Sequence, residues 1–312
     1  MLKTFPIGGV HPSESKISKD CRIEPMPLPT MVTIPLSQHI GTPSEAIVVK
    51  GDRVLTGQLI GRSSGFVSSN VHSSVTGTVM AVDTFVDQGG MRRPCITIQT
   101  EPDEWVPGID LSGNVVRECN LSPAEIIAKV AAAGVVGMGG ATFPTHVKLT
   151  VPTGKKAEYL ILNGVECEPY LTDDYRIMME RGEEVLVGVS ILARAIGVER
   201  IMVGIENNKP DAIKHLAQLA PAIDSRIEVV PLKVRYPQGS EKHLITALTG
   251  RQVPSGGLPI DVGAIVQNVG TALAVYEAVQ KNKPLIERVV TVTGQSLVRQ
   301  ANLKVMIGTS VM

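Results

Sequence analysis

Between residues 158 and 249 the chain alternates short apolar runs with longer amphipathic ones. The order is EYLILN (158–163), EEVLVGVSILARAIG (183–197), RIMVGIE (200–206), PDAIKHLAQLA (210–220), RIEVVPLKV (226–234) and a helical stretch from Glu241 to Thr249. The short runs have strand length and composition, and the long ones repeat apolar residues at helical spacing. Apolar strands that alternate with amphipathic helices argue for βαβ units, hence a parallel sheet covered on both faces. A further helix is expected from about Thr271 to Val279.

Ahead of this region the pattern changes. AIVVKGDRVLTGQLIGRSSGFVSSNVHSSVTGTVMAVD (46–83) mixes short β-like runs with Gly, Ser and Asp turns, which argues for a small all-β unit. Lys50-Gly-Asp-x-Val-x-x-Gly-Gln-x-Ile60 followed by Gly77-x-Val79 resembles the barrel-sandwich fold of biotinyl and lipoyl domains. In those carriers a lysine at a hairpin tip is acylated. Between Gln58 and Gly77 the only basic side chains here are Arg62 and His72, so the fold is expected without the carrier function, as a structural or docking module. Residues 98–120 read as a linker with the only tryptophan. In NLSPAEIIAKVAAAG (120–134), Ser122 can cap a helix, Pro123 suits its first turn, Glu125 closes a capping box and Gly134 supplies the stop. At the other end, RVVTVTGQSLVRQANLKVMIGTSVM (288–312) reads as two strands around a glycine turn, an unfinished hairpin that suggests a trimmed last domain.

Composition narrows the function classes. The chain has 312 residues, 43% hydrophobic and 19% charged, which suits a packed core. Thirty basic and thirty acidic side chains cancel, so no global field draws it to nucleic acid or anionic lipid. The start carries no apolar block of signal-peptide length, and Val185–Ala193 is too short to span a bilayer, so a cytoplasmic chain is expected. Cysteines 21, 95, 119 and 167 form no C-x-x-C pair, and His39, His72 and His146 have no His or Cys partner at helical spacing. No metal site is expected, and the histidines read as hydrogen-bonded loop residues.

Three loops carry the chemistry. GVVGMGGATFPTHVK (134–148) follows a helix rather than opening one after a strand, so it is not the ordinary dinucleotide fingerprint. Gly137, Gly139 and Gly140 allow positive φ and leave room for a ligand, successive amide N–H groups can cradle an anion, and Lys148 adds a cation. The same stretch also serves as a helix stop and tight corner. The strand EYLILN delivers Asn163-Gly-Val-Glu-Cys-Glu-Pro169 at its C-terminal end, where parallel sheets expose ligands. Asn163 offers a donor and an acceptor to a ring edge; Glu166 and Glu168 offer acceptors to ribose hydroxyls or a carboxamide, or are simply solvated. The third piece comprises Tyr236-Pro-Gln-Gly-Ser-Glu-Lys-His-Leu244, Gly250–Pro254 and Gln267-Asn-Val-Gly-Thr271.

Together GMGGATFPTHVK, NGVECEP, YPQGSEKHL and QNVGT resemble, in order, the motifs of the flavin-bearing NADH-oxidising subunit of respiratory complex I. FPIGGVHPSESK and PLSQHIGTPSEAIVVKGDRVLTGQ narrow the resemblance to the RnfC family of the Rnf complex, the ion-translocating ferredoxin:NAD oxidoreductase. The resemblance covers nearly the entire chain. It implies a multidomain α/β protein: an N-terminal barrel-sandwich β domain (1–115), a Rossmann-like parallel α/β domain for FMN and NADH (116–285) and the start of a β-grasp domain (286–312). It also implies that Gly137, Gly139 and Gly140 cradle FMN, with Lys148 a ligand of the flavin or its phosphate. Phe143 would stack near the nicotinamide nucleotide, Asn163 and Glu166 would contact flavin, and Glu168 would contact NADH. Glu241 matches the second glutamate of the complex I G-E-E motif while Ser240 replaces the first, and Asn268 and Thr271 complete the FMN pocket. Gln267 stands where the complex I protein has asparagine, and Met138 where it has arginine.

The function so implied is hydride transfer between NAD(H) and FMN, with no side-chain nucleophile. Electrons would pass to two 4Fe-4S clusters whose cysteine run is absent here, so the clusters are expected only in the full-length family member. Partners would be the other Rnf subunits, including membrane subunits and a ferredoxin-linked iron–sulfur subunit. The chain would sit peripherally on the inner face of the cell membrane. The competing reading is a non-catalytic scaffold whose nucleotide site has decayed.

Overall fold

The computed structural model describes residues 2–87 and 89–311. Its strands are β1 (Ile23–Pro25), β2 (Met31–Pro35), β3 (Glu45–Ala46), β4 (Arg53–Val54), β5 (Leu59–Arg62), β6 (Val71–His72), β7 (Gly77–Val86) and β8 (Arg92–Thr100), then β9 (Tyr159–Asn163), β10 (Arg200–Glu206), β11 (Ile227–Leu232), β12 (Ala264–Asn268), β13 (Glu287–Val292) and β14 (Ala301–Met306). The helices are α1 (Pro123–Ala132), α2 (Thr145–Leu149), α3 (Asp173–Glu180), α4 (Gly182–Ile196), α5 (Pro210–Ile223), α6 (Glu241–Thr249) and α7 (Val269–Gln280).

Strands β9 to β12 form the expected parallel sheet, in the order β11-β10-β9-β12. Alternation along the strands assigns their two faces. Leu160, Leu162, Ile201, Val203 and Ile205 join the side chains of α1, α3, α4, α5 and α7, while Tyr159, Ile161, Val230, Leu232 and Val266 pack with α6. Two crossovers run in one direction from β9, so their helices share a face. The return to β12 on the other side of β9 carries α6 to the opposite face, as right-handed crossovers require. Each fully buried Ile or Leu of these layers contributes about 1.5–3 kcal/mol through the area it removes from water.

The ends of α1 follow its sequence. Ser122 and Glu125 exchange the reciprocal capping bonds, and Gly134 sits just beyond the helix at φ +67°. Helix α7 is buried nearly all round, because one side meets the sheet and another lies against α4. Contact there is backbone-close: a Cβ built on Gly188 of α4 would lie 2.0 Å from the carbonyl oxygen of Ala272.

The N-terminal β unit is a sandwich of a β2-β8-β7-β4 sheet and a β3-β5-β6 sheet over a core that includes Ile34, Val54, Ile60, Ile96 and Ile98. The hairpin between β5 and β6 is seated on the α/β unit. Asn70 donates to the Ala132 carbonyl at 3.2 Å, and the Ile40 N–H donates to Thr142 O at 3.2 Å. A third sheet, β1-β14-β13, pairs residues 23–25 in parallel with the last strand, so the two ends of the chain meet. Before β1 the chain runs as a strap over the parallel sheet, bridging Lys3 to Leu232 and Val10 to Tyr236.

Gly188→Ala forces α4 and α7 apart and is expected to lower the free energy of unfolding by about 1–3 kcal/mol. Urea denaturation measures this, and an unchanged midpoint would refute the close helix contact.

Candidate functional site

The C-terminal ends of β9 and β12 lie side by side, with Asn163 in register opposite Asn268. These ends belong to the C-terminal edge of the parallel sheet, the edge at which open α/β sheets bind ligands. Asn268 caps α7, accepting from the Thr271 N–H at 3.1 Å and donating to the Asp174 carboxylate at 2.7 Å.

The glycine loop is laid onto this end of β12. Val136 bridges Pro144, the Gly137 N–H donates to Phe143 O at 2.9 Å, and the Met138 N–H donates to Thr271 Oγ1 at 3.0 Å. A Cβ on Gly139 would come within 2.8 Å of the Asn268 side chain, so only glycine lets the loop reach the strand end. Gly140 is exposed, and a Cβ there would meet nothing within 4 Å. Contrary to the sequence expectation, none of Gly137, Gly139 and Gly140 takes positive φ. Left-handed backbone occurs instead at Gly134 (+67°) and Thr142 (+49°), because the loop closes as a narrow hairpin between Val136 and Pro144. These glycines provide close approach and open space rather than unusual torsions.

The remaining anticipated side chains gather around the same edge. Lys148, on α2, donates to Glu241 Oε1 at 2.8 Å and to Val266 O at 3.1 Å. An ammonium has three protons, so among the described contacts one is left for a ligand. Asn163 donates to Gly239 O at 2.8 Å and accepts from the Val165 N–H at 3.2 Å, which likewise leaves one amide proton and one lone pair. Phe143 is half-buried in the loop arm. Thr271 is fully buried and can reach a ligand only through Met138.

Glu166 and Glu168 part company. Glu168 is exposed, and its carboxylate raises the pKa of the neighbouring Tyr236 phenol through a hydrogen bond. Glu166 is turned inward at φ +49°, with Oε1 accepting the Tyr175 N–H at 3.2 Å. Burial pushes its carboxyl from the ordinary 4.5 up to about 7, opposed by the charges of Lys16 and Lys209. Asp174 is held well above the usual carboxylate range, by loss of water first and then by the charges of Asp173 and Glu166. The Asn268 amide acts the other way.

Three contributors were not anticipated. Lys16, from the N-terminal strap, donates to the carbonyls of Glu166, Glu168 and Leu171 at 2.8, 2.9 and 2.6 Å. Buried Lys209 donates to Val165 O at 2.8 Å, and burial lowers its pKa. For these lysines, far from the loop in sequence, no local signal exists. The acidic pair Asp173-Asp174, close behind NGVECEP, was a visible clue to the third.

The histidines also differ from expectation. His39 accepts the Ser69 N–H at 3.0 Å, but His72 lies on β6 and His146 on α2, each with a buried Nδ1 lacking a partner among the described residues. Desolvation lowers the His72 imidazole to about 4. Among the described residues no group of three or more His, Cys, Asp or Glu is arranged to hold a metal.

The chain thus joins a barrel sandwich to a parallel α/β unit whose glycine loop is laid on the end of β12. Residues 130–277 match the family model of the Nuo51 FMN-binding domain, and residues 3–103 match the RnfC barrel sandwich hybrid domain. The chain is 48% identical over 312 residues to the RnfC-type subunit of the proton-translocating ferredoxin:NAD(+) oxidoreductase complex of Clostridium ljungdahlii, covering 99% of this chain and 67% of the relative. It is 46% identical over 315 residues to the corresponding subunit of the ion-translocating oxidoreductase complex of Rhodobacter capsulatus (99% and 60% covered). For its counterpart in the Na(+)-translocating ferredoxin:NAD(+) oxidoreductase complex of Acetobacterium woodii, identity is 43% over 307 residues (96% and 68% covered). The chain belongs to this RnfC family, and it spans 60–68% of the length of these relatives. A crystal structure of an NAD+-reducing NiFe hydrogenase in the H2-reduced state shares the fold, with a TM-score of 0.54 at 23% identity over 59% of this chain and 37% of that one.

Glu166 generates a prediction with a definite sign. Its folded pKa of about 7 exceeds the ordinary 4.5, so its contribution to stability is full below about 4.5 and is lost as pH rises through about 7. Glu166→Gln, neutral throughout, escapes that loss. Its stability relative to the unaltered chain is expected to rise between pH 5 and pH 8 in thermal unfolding; a constant difference would refute the raised pKa.

Proposed function

We propose that the chain binds FMN in a crevice at the C-terminal edge of the parallel sheet, beside the glycine loop, and takes or delivers a hydride from or to NAD(H) there, as the nucleotide-binding part of an ion-translocating ferredoxin:NAD oxidoreductase. One observation carries the reading: the glycine loop rests on Asn268 at the end of β12 with its Gly140 flank open. The residues present fit such a cofactor. A planar ring needs a surface without side chains, which Gly139 and Gly140 offer, and a phosphate needs donors, of which Lys148 keeps one.

When bound, FMN would supply the exchange between a two-electron hydride and single electrons. The chain's own residues orient the reactants. Asn163 offers its spare amide proton and lone pair to a ring edge, and Thr271 and Asn268 fix the loop on which the ring lies. Glu241 holds Lys148 at the crevice. Glu166, facing inward, acts from beneath the loop, whereas exposed Glu168 is the acceptor for the dinucleotide's hydroxyls or carboxamide. Gly137 closes the hairpin, and Phe143 stands on its second arm beside the open flank.

In this reading electrons leave to 4Fe-4S clusters outside the chain, and the β1-β14-β13 sheet is the beginning of a β-grasp segment. Partners are the remaining members of the complex, among them membrane subunits and a ferredoxin-linked iron–sulfur subunit. Attachment is peripheral, on the inner face of the membrane; no helix of the described residues is long and apolar enough to cross one.

The test is to mix the chain with FMN, remove free flavin and add NADH anaerobically while following the visible flavin band. Retained flavin that bleaches is the expected result, and no retained flavin would favour a scaffold with a decayed site. Glu168→Gln is expected to weaken NADH binding about tenfold, since it removes an acceptor charge without changing shape, while FMN stays bound. Equal loss of both ligands in a titration would contradict that role.

A further inference from the structure

The N-terminal strap makes its densest polar contact at the loop that follows β9. Ser15 N–H donates to Pro169 O at 3.1 Å, the Ser18 and Thr172 hydroxyls meet at 2.6 Å, and Asn302 donates to the carbonyls of Ser18 and Cys21 at 2.9 and 3.0 Å. Between these anchors Lys16 projects its ammonium into the loop. Its three protons are matched by three carbonyl oxygens, those of Glu166, Glu168 and Leu171, with Glu166 Oε2 at a longer 3.4 Å. A compact tetrahedral donor can serve three converging carbonyls in this way; a planar guanidinium cannot.

The loop needs such a clamp. Glu166 sits in the left-handed region, which a glutamate rarely adopts unless its surroundings over-determine it. Lys209 ties the preceding carbonyl, Val165 O, at 2.8 Å, so two lysines from distant parts of the chain hold successive peptides. The exposed Glu168 side chain is aimed by the peptides so held.

We propose that Lys16 is the positioning residue of the dinucleotide half of the site, fixing the turn between Glu166 and Leu171 so that Glu168 faces the ligand. This rests on the functional reading above. It makes the strap, remote from the glycine loop in sequence, part of the nicotinamide side and not of the flavin side.

Lys16 also sets the charge beneath that turn. The groups facing Glu166 are Lys16 from the strap, Lys209 from the turn before α5, and Asp173 with Asp174 from α3. Removing the Lys16 charge takes away one of the two cations that favour ionised Glu166.

The experiment uses the FMN-loaded full chain carrying Lys16→Ala or Lys16→Arg, with NAD+ and NADH as probes. Lys16→Ala is expected to weaken dinucleotide binding about tenfold while FMN affinity changes less than about twofold. The midpoint of the pH dependence of dinucleotide binding should move up, because Lys16 favours the ionised form of Glu166. Lys16→Arg retains the charge but not the geometry, so it should keep the midpoint and still lose affinity. Amide exchange of residues 164–172 should quicken in both variants with the rest of the α/β unit unchanged, and added ethylammonium should restore Lys16→Ala. Equal weakening of FMN and dinucleotide, or unchanged exchange in that segment, would overturn the proposal. If the unaltered chain binds FMN but no dinucleotide, the functional reading fails at its nicotinamide half; quickened exchange would then still establish the clamp, and unchanged exchange would remove it too.

Discussion

The handedness of the crossovers is the constraint from which the rest follows. Two right-handed connections carry the sheet outward from β9 through β10 to β11, and the third must return past β9 with its helix on the other face. That return puts the ends of β9 and β12 side by side, and the helices that follow them, α4 and α7, pack together on one face. The residues that end the two strands, Asn163 and Asn268, become neighbours. The glycine loop, α2 and the loop before α6 then wall the space around these strand ends.

Those walls are held by polar groups drawn from distant parts of the chain. Loops at a sheet edge carry carbonyls without partners, and removing them from water is costly unless each is bonded. Here ammonium groups do this: Lys16 and Lys209 on the loop after β9, and Lys148 on β12. The arrangement places positive charge beneath the acidic turn, which keeps Glu166 from rising further in pKa. It also explains why two glutamates two residues apart do different things. The left-handed turn at Glu166 sends one carboxylate into the protein and leaves the other at its surface.

The barrel sandwich is more than an appendage to the sheet. Its β5–β6 hairpin meets the end of α1 through Asn70 on Ala132, and its β2–β3 connection meets the glycine loop through Ile40 on Thr142. A Cβ at Gly134 would strike the Asn70 carbonyl oxygen at 2.3 Å, so this glycine both ends a helix and admits the hairpin. The tip that carries an acylated lysine in carrier domains is therefore used here as a buttress.

Much of this was legible in the sequence, because periodicity and capping are local. The spacing of apolar residues announced β9, β10, β11 and α4 to α7, and the Ser122–Glu125 pair announced the start of α1. Local pattern also brought the glycine loop and Asn163 to attention, and the resemblance of the motifs to the complex I subunit brought Glu241 and Asn268. Other features depended on contacts that no window of residues contains. Strand β12, only five residues long, and helix α3, with its charged DDYRIMME run, acquire their meaning from neighbours. The roles of Lys16, Lys209 and Asp174 arise from packing across as many as 155 residues of chain. Likewise, whether the loop glycines supply torsion or clearance was decided by the approach of Asn268. Composition and pattern determined the secondary structure and the layers, since burial alternates with the period of each element. Only the tertiary structure decided which carboxylate turns inward and which stays at the surface, because that choice belongs to backbone strain and to ammonium groups arriving from elsewhere in the fold.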